Sequence, residues 1–441
     1  MLWEHNVCKW RTDPLGWGMS LTFVNRIREI AELDAAARKG GLLVIFGRRR
    51  VGKSRLLRHW LQGREGMYSQ AVEGPTDMQI QQIMADIGPH LDTQLVPKSW
   101  REFFEILSLQ KRRWILCLDE LPYLIAVDPT LPSQLQKWVD HSIPKGCLII
   151  LAGSSTAMMN DLFLNRAAPL YGRAQKLINV RPMDYTAFCS ACRQKVADEA
   201  SFEKFSLVGG IPKYWEFVES DQDGNQLAEA LYFDFAPYME QEPQRILRDE
   251  GVNGANALSV LEAIGRGAER PSEIAQKLGT AQTNLSRLFQ QLLDASVLIR
   301  EMPFGESVRT TKKILYRIQD PTLRFWFRVY SPHRSRWMNY TPEERASLIH
   351  DHAASVFEDF CRSRYPGASR YWEGDLEIDL VAEDPADAKT LVVGEVKWRK
   401  LTALQRRQIL SQLQQKWERS ALSNRYPKVR FEVFDATALK G

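Results

Sequence analysis

Leu42 to Ser54 reads LLVIFGRRRVGKS, an apolar run joined to the complete pattern Gly-x4-Gly-Lys-Ser. Five apolar residues in succession, Leu42 to Phe46, mark a strand buried on both faces. Gly47 and Gly52 let the backbone after it bend so that its amides converge, and a helix starting near Lys53 aims its positive dipole end at the same spot. That is a cradle for phosphate. Lys53 is placed to reach the outer phosphates of a nucleoside triphosphate, and Ser54 to put its hydroxyl on a bridging Mg2+. The expected nucleotide contact is therefore Gly47, Arg48, Arg49, Arg50, Val51, Gly52, Lys53 and Ser54. The three arginines fill its variable positions, where they read as solvated charge or as contacts to phosphate or an acidic partner.

Two more apolar runs end in polar residues. Trp114 to Leu118 is closed by Asp119 and Glu120, and Cys147 to Ala152 by Gly153, Ser154 and Ser155. Apolar strands alternating with helical stretches predict an α/β fold with a parallel sheet, its ligand at the carboxyl ends of the strands. Asp119 is expected to hold magnesium, and Glu120 to orient or deprotonate the attacking water. Ser154 would contact the γ-phosphate or that water, and Arg173 would neutralise charge developing on the phosphoryl group. The alternatives are a helix cap for Asp119, a turn for the serines and a salt bridge for Arg173.

At 441 residues the chain has room for two to four domains. Lys and Arg number 59 against 54 Asp and Glu, and the net +5 is too mild to demand a nucleic-acid partner by itself. Neither LLVIF nor CLIILA is long enough to cross a bilayer, and the opening MLWEHNVCKWRTDP has no apolar segment of signal-peptide length, so a cytoplasmic protein without membrane contact is expected. Cys189 and Cys192 lack further ligands at zinc spacing; with Cys8, Cys117, Cys147 and Cys361 they read as reduced and structural.

The chain divides into a tail at 1–20, a P-loop ATPase core at 21–180 and a helical lid at 181–250 broken by Gly209-Gly210-Ile211-Pro212. At 255–330 three helices (Ala257 to Ile264, Pro271 to Leu278, Gln282 to Leu293) precede a hairpin: Val297 to Pro303, a turn at Phe304-Gly305-Glu306, and Ile314 to Ile318. Three helices and a hairpin make a winged helix. Bound to DNA, it would turn Thr283, Asn284 and Arg287 to the major groove and set Arg309, Lys312 and Lys313 on phosphate. Packing on the ATPase is the alternative use. Phe325, Trp326 and Phe327 read as core.

In the last unit, 346–441, Glu358 lies on a helix, Asp379 in LEIDLVA, and Glu395 and Lys397 in LVVGEVKW. Residues two apart on a strand share a face, and the turn at Asp384 to Asp387 brings the strand of Asp379 alongside. Glu358, Asp379 and Glu395 would then hold Mg2+, with Lys397 beside a scissile phosphate. This is the arrangement of a PD-(D/E)XK nuclease, with Ile378 where the name of the motif has proline. Asp387-x-Lys389 fits the same short pattern, but only Glu395-x-Lys397 lies inside an apolar strand.

Phe23-x-Asn25-Arg26-x-x-Glu29, GRRRVGKS, LDE, GSS, PLYGR and VGGIPKY follow one another over residues 21–220 in an order that resembles the archaeal-type ATPases of the STAND class, relatives of AAA+ proteins. The resemblance implies ATP as the nucleotide, a helical lid and an ATP-driven switch. It also implies a carboxyl-terminal domain similar to PD-(D/E)XK nucleases after the winged helix, and Tyr316 to Phe327 resembles the family's junction between them. The expectation is an ATP-hydrolysing switch that controls a Mg2+-dependent DNA nuclease-like domain in defence or mobile-element biology, self-associating on nucleotide binding. The alternative is a regulatory ATPase or scaffold whose terminal domain binds DNA or a partner without cleavage.

Overall fold

The structure, a computed structural model, describes residues 21–440 apart from positions 94, 253, 308 and 310, so the expected tail at 1–20, with Cys8, lies outside the described residues. The apolar run after Gly41 forms β1 (Gly41–Phe46). It is joined in one parallel sheet by β2 (Met67–Gln70), β3 (Ile115–Asp119), β4 (Leu148–Gly153) and β5 (Lys176–Asn179), in the order β2-β3-β4-β1-β5. Alternation along β1 builds two cores. Leu43 and Ile45 meet Leu33, Leu56 and Trp60 on one face, while Leu42, Val44 and Phe46 meet Ile80, Phe103 and Leu135 on the other. The carboxyl ends of β1, β3 and β4 open on the same edge of the sheet, which brings the polar residues after them together.

The lid follows as short helices, among them Tyr185–Cys192, Glu199–Val208 and Glu242–Asp249. Gly210 makes its break, for a Cβ there would fall 2.1 Å from the Met183 carbonyl oxygen. Cys189 and Cys192 are free thiols that burial pushes up to about 11 and about 12, in keeping with a structural role.

Helices Gly254–Gly265, Pro271–Lys277 and Gln282–Asp294 lead into an antiparallel pair, β6 (Leu298–Glu301) and β7 (Leu315–Ile318). The connection is longer than the expected turn and is docked. The Phe304 amide donates to the Arg370 carbonyl at 2.9 Å, and its ring packs with Tyr426 of the last unit. Phe325, Trp326 and Phe327 are buried.

The last unit consists of helix Pro342–Ser363, β8 (Ser369–Glu373), β9 (Leu376–Asp384), β10 (Asp387–Val396), helix Ala403–Arg419 and β11 (Val429–Phe434). Its sheet runs β11-β10-β9-β8, antiparallel except for β10 and β11. A parallel pair needs a crossover, and Ala403–Arg419 supplies it. Capping boxes at Thr341 and Thr402 start both helices. Phe202 of the lid packs against Phe357 and Trp398 at 5.6 and 4.9 Å between ring centroids, so the apolar core runs on from the lid into the last unit. Among the described residues no helix is long and apolar enough to cross a membrane.

Candidate active site

The phosphate loop owes its shape to backbone that only glycine adopts freely. Gly47 has φ 146° and Gly52 φ 98°, and a Cβ on Gly47 would fall 2.4 Å from the Val180 carbonyl oxygen. Arg26, itself buried, braces the loop from behind. Its guanidinium donates to the Val51 carbonyl (2.8 Å), the Arg181 carbonyl (2.8 Å) and Glu29 Oε1 (2.9 Å). This gives the Phe23 to Glu29 segment a physical purpose.

Lys53 is 4% exposed and crosses the loop, its Nζ 2.8 Å from the Gly47 carbonyl and 3.2 Å from that of Arg48. Burial lowers its pKa, opposed by Glu120 and Asp119. Asp119 is fully buried at the end of β3 and accepts the Tyr68 hydroxyl (2.7 Å) and the Glu120 amide (2.9 Å). Tyr68 also bonds Ser54, and burial, then Asp119, raises its pKa. One phenol thus links the two oxygen donors expected for magnesium. A buried carboxylate and a hydroxyl joined through a single polar atom suit a small, hard cation. Tyr68 lies on the edge strand β2, outside any motif, and sequence reasoning missed it. Glu120, at φ 60°, accepts the Ser154 hydroxyl at 2.7 Å, which brings these two candidates together. Ser155 caps helix Thr156–Leu164.

Each arginine of the loop is paired with an acid, Arg48 and Arg50 partly buried and Arg49 exposed. Arg48 pairs with Asp320, Arg49 with Asp249 (2.9 Å) and Arg50 with Glu242. The lid and the junction supply a carboxylate to each, the acidic contact that was one of the expected uses of these side chains, and the partly buried guanidinium groups of Arg48 and Arg50 require it. Glu250, just past the lid helix, accepts the Thr156 and Ala157 amides at 3.2 and 3.1 Å, with burial raising its pKa. Nothing in the local pattern announced it.

The expected role of Arg173 is corrected. It clasps Asp140 at 3.0 Å just before β5, where Gln175 pairs with Leu42 at the start of β1. That is the opposite end of the sheet from the phosphate loop, so Arg173 does not serve the site of its own chain.

In the last unit Glu358, Asp379, Glu395 and Lys397 come together. Burial, then Glu395 and Glu358, push Asp379 up to about 7 while it accepts the Val396 amide at 2.8 Å. Lys397 lies 2.9 Å from Glu395, and Lys416 of the crossover helix, which sequence reasoning missed, bonds both oxygens of Glu395 at 3.1 and 2.9 Å. Arg362 lies 3.5 Å from Glu358 and donates to the Asp379 carbonyl at 2.9 Å. Among the described residues no group of three or more His, Cys, Asp or Glu is arranged to hold a metal ion. Here the ammonium groups of Lys397 and Lys416 hold Glu395, the third carboxylate of the expected magnesium site. Asp387 caps its own turn through the Lys389 amide.

A run of ion pairs links the two sites. Asp320, held by Arg48, caps helix Pro321–Phe325 through the Thr322 and Leu323 amides at 2.7 and 3.1 Å. Arg324 on that helix reaches Asp359 at 2.7 Å, and Asp359 holds Arg362 at 2.6 Å. Burial pushes the Asp359 carboxyl up, but Arg317, Arg324 and Arg362 reverse it and hold it far below the usual range. Thr283, Asn284, Arg287, Arg309, Lys312 and Lys313 are all exposed, and helix Gln282–Asp294 also rests on Thr156–Leu164.

Residues 23–218 match a family described as an ATPase domain predominantly from Archaea, and residues 326–409 one described as archaeal and bacterial proteins of unknown function. An uncharacterized protein of Methanocaldococcus jannaschii is 27% identical over 408 residues, 86% of this chain and 88% of its own. The Walker-type ATPase of Pyrococcus abyssi shares the fold, with a TM-score of 0.53 at 21% identity over 70% of this chain and 96% of that one. A STAND protein of Pyrococcus horikoshii with a tetratricopeptide repeat sensor aligns over 80% of this chain and 51% of its own, at a TM-score of 0.30 and 16% identity. With the phosphate loop, Asp119 and Glu120 assembled at one end of the sheet, residues 23–218 have the fold and the nucleotide site of a P-loop ATPase domain.

Proposed function

We propose that ATP binding and hydrolysis at residues 23–218 reposition the last unit, and that this unit engages nucleic acid. The observation that carries the reading is the run Arg48, Asp320, Arg324, Asp359, Arg362, which connects a residue of the phosphate loop to the backbone of Asp379. Asp320 is the pivot, because one oxygen holds Arg48 while the other caps the helix that carries Arg324. A shift of the loop on phosphate binding is transmitted through that cap.

At the nucleotide, Lys53 turns from the loop carbonyls to the outer phosphates, and Glu120, steadied by Ser154, orients the attacking water. Ser54 and Asp119 would hold magnesium, which neutralises charge on the β- and γ-phosphates when bound. The helices and hairpin at 255–330 serve as a winged helix, and 346–441 as a PD-(D/E)XK-like module.

The test is the affinity of the full chain for labelled DNA with ADP, ATP or a non-hydrolysable ATP analogue, for wild type and Asp320→Asn. Wild type should change affinity with the nucleotide, and Asp320→Asn should bind both ligands without that dependence. Equal DNA affinity of the wild type in every nucleotide state would sink the proposal. A second reading, metal-dependent DNA cleavage, is favoured by the convergence of Glu358, Asp379 and Glu395 that raises Asp379. It requires cutting of plasmid or branched DNA with ATP and Mg2+ that Lys397→Ala abolishes.

A further inference from the structure

We infer that the cleft between the helix-hairpin unit and the last unit seats the phosphodiester backbone of a nucleic acid strand. Two cavities of about 540 and 700 Å3 lie there and meet at Arg370, each within the roughly 300–1,000 Å3 range of ligand sites. The first is walled by Arg266, Arg317, Arg324, Arg328 and Arg370, against the acids Glu269 and Glu358 alone.

Most of these arginines are held from behind. Arg317 and Arg324 share Asp359, Arg370 pairs with Glu301 at 3.2 Å, and Arg266 with Glu262 at 2.7 Å. One is not: Arg328 is exposed and has no ion pair among the described residues. In the wall of the second cavity Arg300 likewise has a buried Nε with no hydrogen-bond partner among the described residues. A network built only to glue two units together would match each cation with an acid; an orphaned guanidinium N–H and an unpaired arginine facing a polar cavity are what an anion satisfies.

The anion is a phosphodiester chain for two reasons. Two cavities in series suit an extended ligand, and the described lining of the first offers guanidinium groups and isoleucines but no aromatic ring, so it takes hold of phosphate and not of a base. Its wall also includes Glu358, so a strand seated there runs up to the cluster of Asp379, Glu395 and Lys397. Arg287, Lys312 and Lys313 are not among the described residues that line either cavity. The inference rests on the reading that the last unit engages nucleic acid.

The experiment measures binding of a labelled 30-nucleotide single strand and the corresponding duplex to the full chain over a series of salt concentrations. Arg328→Ala and Arg266→Ala should each weaken binding several-fold and lower the salt slope by about one. A strand with neutral methylphosphonate linkages should bind far more weakly than its phosphodiester counterpart. A larger loss in Arg287→Ala than in Arg328→Ala and Arg266→Ala would overturn the cleft while leaving the proposed function standing. If the wild type binds neither DNA in any nucleotide state, the proposed function falls and the inference with it.

Discussion

The phosphate loop and the terminal carboxylate cluster are both closed sets of charges, but they are built in opposite ways. The loop is held by glycine backbone and by Arg26, and its surplus arginines are then capped by acids brought in from the lid and the junction. In the cluster the positions themselves depend on side chains: Glu395 is held by Lys397 and Lys416, and Glu358 and the Asp379 backbone by Arg362. The difference separates geometry from control. Ion pairs at the loop can be exchanged without losing the cradle, which is what a switch needs, whereas those at the cluster are the architecture.

The largest expected effect removes the charge that the cradle exists to place. Lys53→Ala should lower phosphate release from ATP by about 100-fold or more, the scale seen when one preorganised electrostatic donor is lost at a reacting centre. A loss below tenfold would break the contrast, because the loop would then be a structural turn.

Next comes the pair that links the two regions. Arg48 and Asp320 are 11% and 4% exposed, so Asp320→Ala strands a buried guanidinium and should cost about 3–5 kcal/mol in urea unfolding. Asp320→Asn keeps an oxygen for the helix cap and should cost less. Equal costs would assign the importance of Asp320 to its charge and not to its cap.

The same contrast explains what could be read in advance. β1, β3 and β4 are unbroken apolar runs, legible because both faces are buried; β2 and β5 are four-residue edge strands of mixed burial that leave little pattern. The loop was legible because eight consecutive residues carry it. Its partners Tyr68, Glu242, Asp249 and Glu250 were not, since each comes from a distant element and no local spacing marks a carboxylate destined for an arginine 200 residues away. Lys416 escaped for the same reason. Arg173 carried a usable signal: it directly precedes β5, and in a parallel sheet every strand starts at the end remote from the ligand.

A pH titration tests how the last unit is held to the lid. His352 is fully buried, its Nε2 2.9 Å from the Ser206 carbonyl, and burial pushes its pKa down to about 3. In the unfolded chain it takes up a proton near its ordinary 6.5, so below that pH the unfolded state binds more protons and stability is lost as pH falls. From pH 7 to pH 5 the loss attributable to His352 should be about 2 kcal/mol. His352→Gln, which keeps an N–H for Ser206, should be less sensitive to pH by that amount, and an unchanged pH slope would show that His352 titrates normally in the fold.

The smallest stability effect lies at Arg49 and Asp249, and it bears most directly on the switch. At 50% and 21% exposure the pair contributes about 0–1 kcal/mol, so Asp249→Asn should leave unfolding nearly unchanged. Arg49, released from the lid, is then free to reach toward bound phosphate, and ATP should bind a few-fold more tightly by calorimetric titration. Competition of the lid acid and the nucleotide for one guanidinium would make each ATP bound loosen the hold of the lid on the loop. Tighter ATP binding without a change in stability is the signature of such an exchange; weaker binding would mean that Asp249 holds Arg49 in place for the nucleotide instead of away from it.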